Sequence, residues 1–260
     1  MDDTTSARPS WLLRDSIGEL KYGALSGRVD IARPDAGLQA VALKMNQSDC
    51  GLLKVFRTLE SLSADDSALW PLPVADAYVR GNDLVATYQA VEAWPYSPQV
   101  YWRAGALDMV EGVHASMSLI VSVQTQLLDT CPQITVSSQA QSKEALSLVI
   151  TENGDAEIGP IASGNWEAPR GTTYCIIRRL NDSPLSLVEF ASAGDYLAVR
   201  SRPDLQGGML SEWRLFAEFL EKGVIRRARV NSAIVPQEND VELAIECRGA
   251  MESLPLPLTT

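Results

Sequence analysis

The chain has 260 residues, of which 46% are apolar and 21% charged, so it can bury a sizeable core and is not disordered by composition. Its 22 basic and 33 acidic residues give a net charge of −11, which argues against nonspecific binding to nucleic acid or to an anionic membrane. The polar start MDDTTSARPSW has no signal-peptide core, and no apolar run reaches the roughly 20 residues of a membrane span, so we predict a cytoplasmic protein.

The cysteines and the histidine content argue against a metal site. Four cysteines lie far apart, without a C-x-x-C pair, and the chain has one histidine. Zinc sites need closely spaced ligand pairs, so we predict reduced, mostly buried thiols, no metal and no cofactor. The cysteines are Cys50, Cys131, Cys175 and Cys247.

The first third of the chain contains one predicted helix among strands. Residues 1–20 are predicted to be a loose arm, and residues 21–260 a single domain. Gln39–Met45 is predicted to be a strand, and the apolar spacing within Asp49–Ser63 predicts a helix that Asp49 can cap. Asp76–Arg80 and Leu84–Ala90 are typical of a hairpin, because they flank the turn GND.

The rest of the chain is predicted to be mainly strands, with a second helix near the end. Asn153-Gly154 suits a tight primed turn between two strands of a hairpin. Ser211–Lys222 carries a capping serine, an apolar stripe and a closing glycine, which predict a helix. The predicted strands are His114–Leu128, Ile134–Ser138, Ala145–Thr151, Ala156–Ile161, Thr172–Arg179, Leu185–Ala191, Tyr196–Arg200, Val224–Val235 and Val241–Cys247, the last two forming a hairpin around PQEND. Together these elements indicate an all-β protein with few helices, built as a large two-sheet antiparallel β-sandwich.

Three arginines stand close together in EKGVIRRARV. Strand alternation puts Arg227 and Arg229 on one face and Arg226 on the other. Two guanidinium groups at strand spacing suit a carboxylate, a phosphate or sugar hydroxyls, although structural ion pairs explain them equally. If Arg226 is buried, it needs a carboxylate partner, for which Glu242 or Glu246 is a candidate.

A second group of candidate ligand residues lies in WPYSPQVYWR. Trp94, Tyr96, Tyr101, Trp102 and Arg103 crowd into ten residues that two prolines keep from forming a helix. We therefore predict a loop or an irregular edge strand. Aromatic rings on such a loop could stack on a sugar ring, or they could simply pack over the end of the sandwich.

Catalytic motifs are sparse. The chain has no G-x-S-x-G elbow and no phosphate-binding loop, and His114 is its single histidine. Glu189 stands out inside the apolar strand LSLVEFA, so an acid–base pair of Glu189 with His114 or Glu111 is conceivable. His114 and Glu189 are therefore candidate catalytic residues, and a structural role explains each of them equally well.

The order of elements resembles the galactose-mutarotase-like supersandwich, in a bacterial variety. The likeness covers roughly 200 residues and rests on the strand run from His114 to Arg200, the late helix predicted before EKGVIRRARV, the predicted closing strand VELAIEC and the end LPLPLTT. The resemblance implies a sugar-related role. Mutarotases of this family use histidines together with a glutamate, and one histidine cannot supply that set.

Three functions remain open at this point. The first is noncatalytic binding of a carbohydrate or a small anionic metabolite on a concave sheet face, through Arg227, Arg229 and the aromatic stretch. The second is a sugar epimerase that works with His114 or Glu189. The third is a protein-interaction or assembly module of unknown oligomeric state.

Overall fold

Eighteen strands and one α-helix make up the described part of the chain. The computed structural model describes residues 10–43, 53–59, 71–92, 94–150, 156–161, 166–169, 173–204, 207–216 and 218–254. The first nine strands are β1 (Trp11–Arg14), β2 (Ile17–Tyr22), β3 (Leu25–Asp30), β4 (Gln39–Leu43), β5 (Leu53–Thr58), β6 (Val74–Arg80), β7 (Asp83–Tyr88), β8 (Ser97–Ala104) and β9 (Ala115–Gln124). The others are β10 (Ile134–Ala140), β11 (Ser142–Ile150), β12 (Ala156–Pro160), β13 (Trp166–Pro169), β14 (Thr173–Leu180), β15 (Leu185–Ala191), β16 (Ala198–Pro203), β17 (Met209–Leu215) and β18 (Ile225–Pro236), followed by helix α1 (Asp240–Glu252).

The strands form three antiparallel sheets. A nine-stranded sheet has the order β12-β11-β14-β15-β18-β9-β8-β7-β6, a five-stranded sheet the order β13-β16-β17-β10-β5, and a four-stranded sheet the order β1-β2-β3-β4. Side chains from all three sheets share the largest apolar cluster, so the two smaller sheets cover one face of the large one. We call this covered face of the nine-stranded sheet its inner face and the opposite one its outer face.

The two smaller sheets meet where the chain passes from β3 towards β5. Leu38 forms an isolated bridge with Val55 of β5. Gly37 precedes it with a φ of 65°, and a Cβ there would lie 2.7 Å from the backbone of β5. This close approach in a left-handed conformation requires glycine.

Three sequence predictions on helices and strands are wrong. Within Asp49–Ser63 the described residues 53–58 form β5, where a bulge with Phe56 at φ 59° buries Val55 and Phe56 in succession and imitates helical spacing. Ser211–Lys222 is no helix either, because Ser211, Trp213 and Leu215 alternate inward along β17 and Phe219 is 77% exposed. The predicted strand Val241–Cys247 belongs to α1 instead.

Helix α1 packs on the outer face. Its residues Leu243, Ala244, Cys247 and Met251 are buried and have helical spacing. A strand could not place all four on one side. They join a second apolar cluster with side chains of β11, β14, β15 and β18. The helix therefore covers one half of the outer face and leaves the other half to polar residues.

Two further predictions need correction. The predicted loose arm over residues 1–20 holds β1 and most of β2, and buried Trp11 donates its indole N–H to the carbonyl oxygen of Asn82 at 3.1 Å; residues 1–9 lie outside the described ones. Trp94–Arg103 contains all of β8 except Ala104, and this strand lies inside the large sheet between β7 and β9 and not at an edge. The predicted turn Asn153-Gly154 lies outside the described residues, although β11 and β12 do pair as a hairpin.

Candidate functional site

Beside α1 the outer face carries three rows of side chains in register, of which Thr87, Gln99, Arg103 and Arg227 are partly exposed and the other eight are buried. Across β7, β8, β9 and β18, one row reads Thr87, Gln99, Ser122, Arg227; the next reads Val85, Tyr101, Ile120, Arg229; and the third reads Asp83, Arg103, Ser118, Asn231. Neighbouring strands of a sheet lie about 4.8 Å apart, so residues two strands apart are separated by about 10 Å. We call these twelve residues, together with Tyr78 of β6, the polar face.

Side-chain hydrogen bonds order the β7–β8 side of the polar face. Arg103 donates from Nε and Nη2 to the two carboxylate oxygens of Asp83 at 2.7 and 2.9 Å. The Tyr101 hydroxyl donates to Gln99 Oε1 at 2.5 Å, and Gln99 Nε2 donates to Thr87 Oγ1 at 2.8 Å. These bonds fix the direction of the groups that a ligand would meet.

Electrostatics links Tyr101 to the arginines around it. Burial raises the pKa of the Tyr101 phenol and Tyr78 adds to that effect, whereas the positive charges of Arg80 and Arg227 act in the opposite direction. The influence of Arg227 on the phenol is consistent with the register, which places the two side chains in adjacent rows. Val85, Tyr101 and Ile120 form a small buried apolar cluster, against which Tyr78 packs, between the two rows that carry the partly exposed polar groups.

Arg227 and Arg229 share the predicted face but differ in role. Arg229 is 5% exposed and donates to the carbonyl oxygens of Met251 at 2.9 Å and Leu254 at 3.2 Å, at the C-terminal end of α1. Burial lowers the pKa of Arg229, and the charge of Asp195 opposes this. Arg229 therefore holds the helix on the sheet, where a cation suits the negative end of the helix dipole. Arg227 is partly exposed on the polar face.

Arg226 is exposed, so the condition under which it would need a carboxylate of the final segment is not met. It donates to Glu218 Oε2 at 2.8 Å, and neither Glu242 nor Glu246 is its partner. Both predicted partners belong to α1 and not to a strand returning beside β18, which explains the difference.

The aromatic stretch is split by the fold. Tyr101 and Arg103 point to the polar face, whereas alternation along β8 sends Trp102 into the core between the sheets, where it is fully buried. Trp94 and Tyr96 precede β8 and stack on each other, with ring centroids 6.0 Å apart and planes at 14°. They border a cavity of about 380 Å³ at the end of the sandwich, and burial raises the pKa of Tyr96 to about 12.

Glu189 lies on the inner face and is fully buried. Its Oε2 accepts hydrogen bonds from Nη2 of Arg178 and from Oγ of Ser211, the latter at 2.5 Å. Arg178 also donates to the carbonyl oxygens of Ser138 at 2.8 Å and Met209 at 3.2 Å, so it ties the large sheet to the five-stranded one. A carboxylate held in this way does not face solvent, which removes Glu189 as a catalytic candidate.

The other acid–base candidates do not join Glu189. His114 directly precedes β9 and is partly exposed, and its backbone N–H donates to the carbonyl oxygen of Ile234 at 2.9 Å. Glu111 is exposed in the connection between β8 and β9. The conceived pairs of Glu189 with His114 or Glu111 are not present in this arrangement.

Sequence reasoning missed two carboxylates near the arginines. The turn GND predicts that Asp83 lies opposite Arg80 of β6, but its partner Arg103 is set by the pairing of β7 with β8, which that turn does not determine. Asp195 lies between β15 and β16, where burial raises its pKa to about 6 although a backbone hydrogen bond from Arg229 and nearby arginine charges lower it. No sequence signal marks Asp195, because its neighbourhood arises from non-local contacts.

The described residues do not form a metal-binding cluster. Within the described ranges, no group of three or more histidine, cysteine or acidic side chains has the geometry to hold a metal ion. Cys175 and Cys247 are buried free thiols whose pKa burial raises to about 12, and Cys131 is free and exposed; Cys50 lies outside the described residues. Among the described helices, none is long and apolar enough to cross a membrane.

Solved structures share this architecture. A putative aldose 1-epimerase from Escherichia coli K12, b2544, superposes with a TM-score of 0.59 at 8% identity, covering 84% of this chain and 98% of that one. The fold is that of the galactose-mutarotase-like β-sandwiches. The structure of HI1317 matches with a TM-score of 0.50 at 8% identity, covering 84% of this chain and 91% of the other. No protein-family model matches the sequence, and no curated protein matches it.

Proposed function

We propose that the polar face binds a carbohydrate or a small anionic metabolite without chemical conversion. The observation that supports this is the register of β7, β8, β9 and β18, which brings Arg227 into one patch with Tyr101, Gln99 and Arg103. A guanidinium group suits a carboxylate, a phosphate or a sugar hydroxyl, and the partly exposed amide of Gln99, which the buried Tyr101 hydroxyl orients, supplies a further hydrogen bond. Arg227 is the residue whose cation faces the ligand.

The absence of an acid–base pair favours binding over turnover. Among the described side chains that β6–β9 and the first half of β18 direct to this face, there is no histidine and no glutamate. Asp83 is there, but Arg103 engages both of its carboxylate oxygens. Proton transfer to a ring oxygen and from an anomeric hydroxyl requires two positioned groups, whereas the remaining carboxylate among these described side chains is Asp76, opposite Thr87 on the edge strand β6.

The test is thermal unfolding against a panel of monosaccharides, sugar phosphates and small carboxylates. A ligand at about 100 times its dissociation constant stabilises a native protein by roughly 2.7 kcal/mol, so we expect a shift of the melting temperature with one ligand class. Arg227→Ala should abolish the shift, and Tyr101→Phe should reduce it, because it removes the hydroxyl bonded to Gln99.

Matched controls keep this test specific. Arg14→Ala removes an exposed arginine of β1, in a different sheet, and should leave the shift intact. Absence of a shift across the whole panel, or an equal shift in Arg227→Ala, would contradict binding on the polar face.

A second candidate, an aldose 1-epimerase-like enzyme, is favoured by the name of the E. coli structure of the same fold. Polarimetry decides between the two, since mutarotation of a freshly dissolved pure anomer changes optical rotation. We expect no acceleration over the buffer rate with glucose or galactose. An acceleration that Arg227→Ala removes would replace the binding proposal with the enzymatic one.

A further inference from the structure

One end of the sandwich carries a cluster of exposed apolar side chains. Of the nine large apolar side chains that are exposed among the described residues, five lie at this end. They belong to the connection between β9 and β10, to the connection between β17 and β18, and to the first residue of β18. We call them the end patch: Leu127, Leu128, Phe219, Val224 and Ile225.

Backbone hydrogen bonds hold the two connections together. Thr130 N–H donates to the carbonyl oxygen of Leu220 at 3.3 Å, and Leu220 N–H donates back to the carbonyl oxygen of Thr130 at 2.6 Å. Gly223 N–H donates to the carbonyl oxygen of Thr125 at 3.0 Å. The two connections therefore lie side by side and bring their apolar side chains to the same end of the sandwich.

The exposure of the end patch is high. Leu128 is 81% exposed and Phe219 is 77% exposed. A single apolar side chain on a protein surface is ordinary, whereas a cluster of them is typical of a surface that a partner covers. Leu127 extends the cluster towards the cavity at this end, which Trp94 and Tyr96 also line.

The charges around the end patch indicate which partner fits. Residues 218–226 carry two acidic and two basic side chains, although the whole chain has a net charge of −11. Two copies of an acidic chain repel each other on average, and this repulsion is weakest where the charges balance. The balanced side chains are all exposed: Glu218, Glu221, Lys222 and Arg226.

A second copy of this chain complements these charges better than an anionic lipid surface does. Across a twofold axis the same patch of both copies meets, so basic groups of one copy face acidic groups of the other. Asp129, beside Leu128, adds an acidic group to the connection between β9 and β10, which has no basic residue. An anionic bilayer would be repelled by Asp129, Glu218 and Glu221.

We propose that the end patch is the contact surface of a symmetric dimer of this chain. Phe219 and Leu128 of both copies form the apolar centre, and the exposed charged side chains form the rim. Five apolar side chains per copy make a small interface, so the dimer is weak and reversible, with a dissociation constant in the micromolar range. This contact goes beyond the ligand binding proposed for the polar face and does not depend on it.

The experiment is sedimentation velocity of the full chain from roughly 1 to 500 µM, a range that spans weak association. We expect a reversible monomer–dimer equilibrium. Phe219→Asp and Leu128→Asp should each raise the dissociation constant at least about tenfold, because the twofold axis places every substituted charge against apolar surface. Both side chains are exposed, so the melting temperature of each variant should stay close to that of the parent chain.

Met109→Asp is the matched control. Met109 is 60% exposed, but it lies in the connection between β8 and β9, at the opposite end of the ten-residue strand β9. That end is about 30 Å from the end patch, given the rise per residue of a strand. Met109→Asp should therefore dimerise as the parent chain does.

Cys131 allows the contact to be located. It is a free, exposed thiol three residues beyond Leu128, whereas Cys175 and Cys247 are buried. A nitroxide label on Cys131, in a Cys50→Ser background, should give a defined distance between the two copies in double electron–electron resonance. Phe219→Asp should remove that distance.

Three outcomes would overturn the dimer. The first is a chain that stays monomeric at the highest concentration. The second is a dimer that Phe219→Asp and Leu128→Asp leave as tight as in the parent chain. The third is a monomeric chain that binds neutral phosphatidylcholine vesicles and loses this binding in Phe219→Asp, which would assign the end patch to a lipid surface.

Discussion

Two acid–arginine pairs on the two faces of the same sheet show how burial changes what a pair does. Arg178 and Glu189 lie on the inner face with both side chains 0% exposed. Arg103 and Asp83 lie on the outer face, with the arginine 29% and the aspartate 6% exposed. The inner pair connects two sheets and cannot meet a ligand, whereas the outer pair borders solvent and shapes the polar face.

The electrostatics of the two arginines differ accordingly. Burial lowers the pKa of Arg178, and the charge and hydrogen bond of Glu189 work against that loss. For Arg103 the hydrogen bonds that it donates to Asp83 outweigh burial, so its pKa is raised. The comparison predicts that breaking the inner pair costs stability, whereas breaking the outer pair changes stability less and binding more.

The largest effect is expected from Glu189→Ala. Removing one partner of a buried ion pair leaves an uncompensated charge and typically costs about 3–5 kcal/mol, and Arg178 has no route to solvent. Urea denaturation at neutral pH measures this loss. The double variant Arg178→Met/Glu189→Leu should recover most of it, since it removes both charges together; a double variant as unstable as the single one would contradict this account.

A pH effect is expected next, from Asp195. Its carboxyl titrates near 3.8 in the unfolded chain and near 6 in the folded one, because burial disfavours the charged form. A raised carboxyl pKa makes the folded state bind protons more tightly, so this contribution is present at low pH and is lost as pH rises through 4 to 6. The loss is at most about 3 kcal/mol.

Asp195→Asn tests this sign. The variant cannot ionise, so the fall in the free energy of unfolding between pH 4 and pH 7 should be smaller than in the parent chain. Urea denaturation series at both pH values provide the comparison. An identical pH dependence in the two proteins would refute the role of Asp195.

Arg103→Ala is expected to have a moderate effect. It leaves the largely buried carboxylate of Asp83 without its two hydrogen bonds, which costs about 1–3 kcal/mol. Asp83→Asn in the same background should restore part of the stability by removing the unpaired charge. A loss as large as that of Glu189→Ala would show that the two pairs do not differ as their burial suggests.

The sequence allowed the β-sandwich and most of its strands to be predicted, because period-2 alternation and turn residues are local signals. Leu185–Ala191 and the hairpin around residues 81–83 follow from them directly. The wrong helix and strand assignments also have local causes. The bulge at Phe56 imitates helical spacing within Asp49–Ser63. The apolar residues of Val241–Cys247 cover so few positions that a helix could be taken for a strand.

The candidate site could be predicted only in part. Alternation along one strand correctly separates Arg226 from Arg227 and Arg229. In Trp94–Arg103 the two prolines favoured a loop or an irregular edge strand, so Trp102 was grouped with Tyr101, although alternation along β8 points the two to opposite sides. Arg178, the partner of Glu189, is adjacent only across the β14–β15 pairing, at a separation that sequence spacing does not encode.

The smallest change in stability is expected from the solvent-exposed pair of Arg226 and Glu218. Arg226 and Glu218 are 47% and 46% exposed, and exposed pairs contribute about 0–1 kcal/mol because water and salt screen them. Arg226→Ala should therefore change the midpoint of urea denaturation little, and high salt should erase the difference. Arg226 and Arg227 alternate along β18 but line the same small cavity beside Asp195 and Glu218, so Arg226→Ala also tests where at this end of β18 a ligand binds. A loss of ligand-induced stabilisation in Arg226→Ala as large as in Arg227→Ala would move the binding site off the polar face and onto the edge beside Glu218.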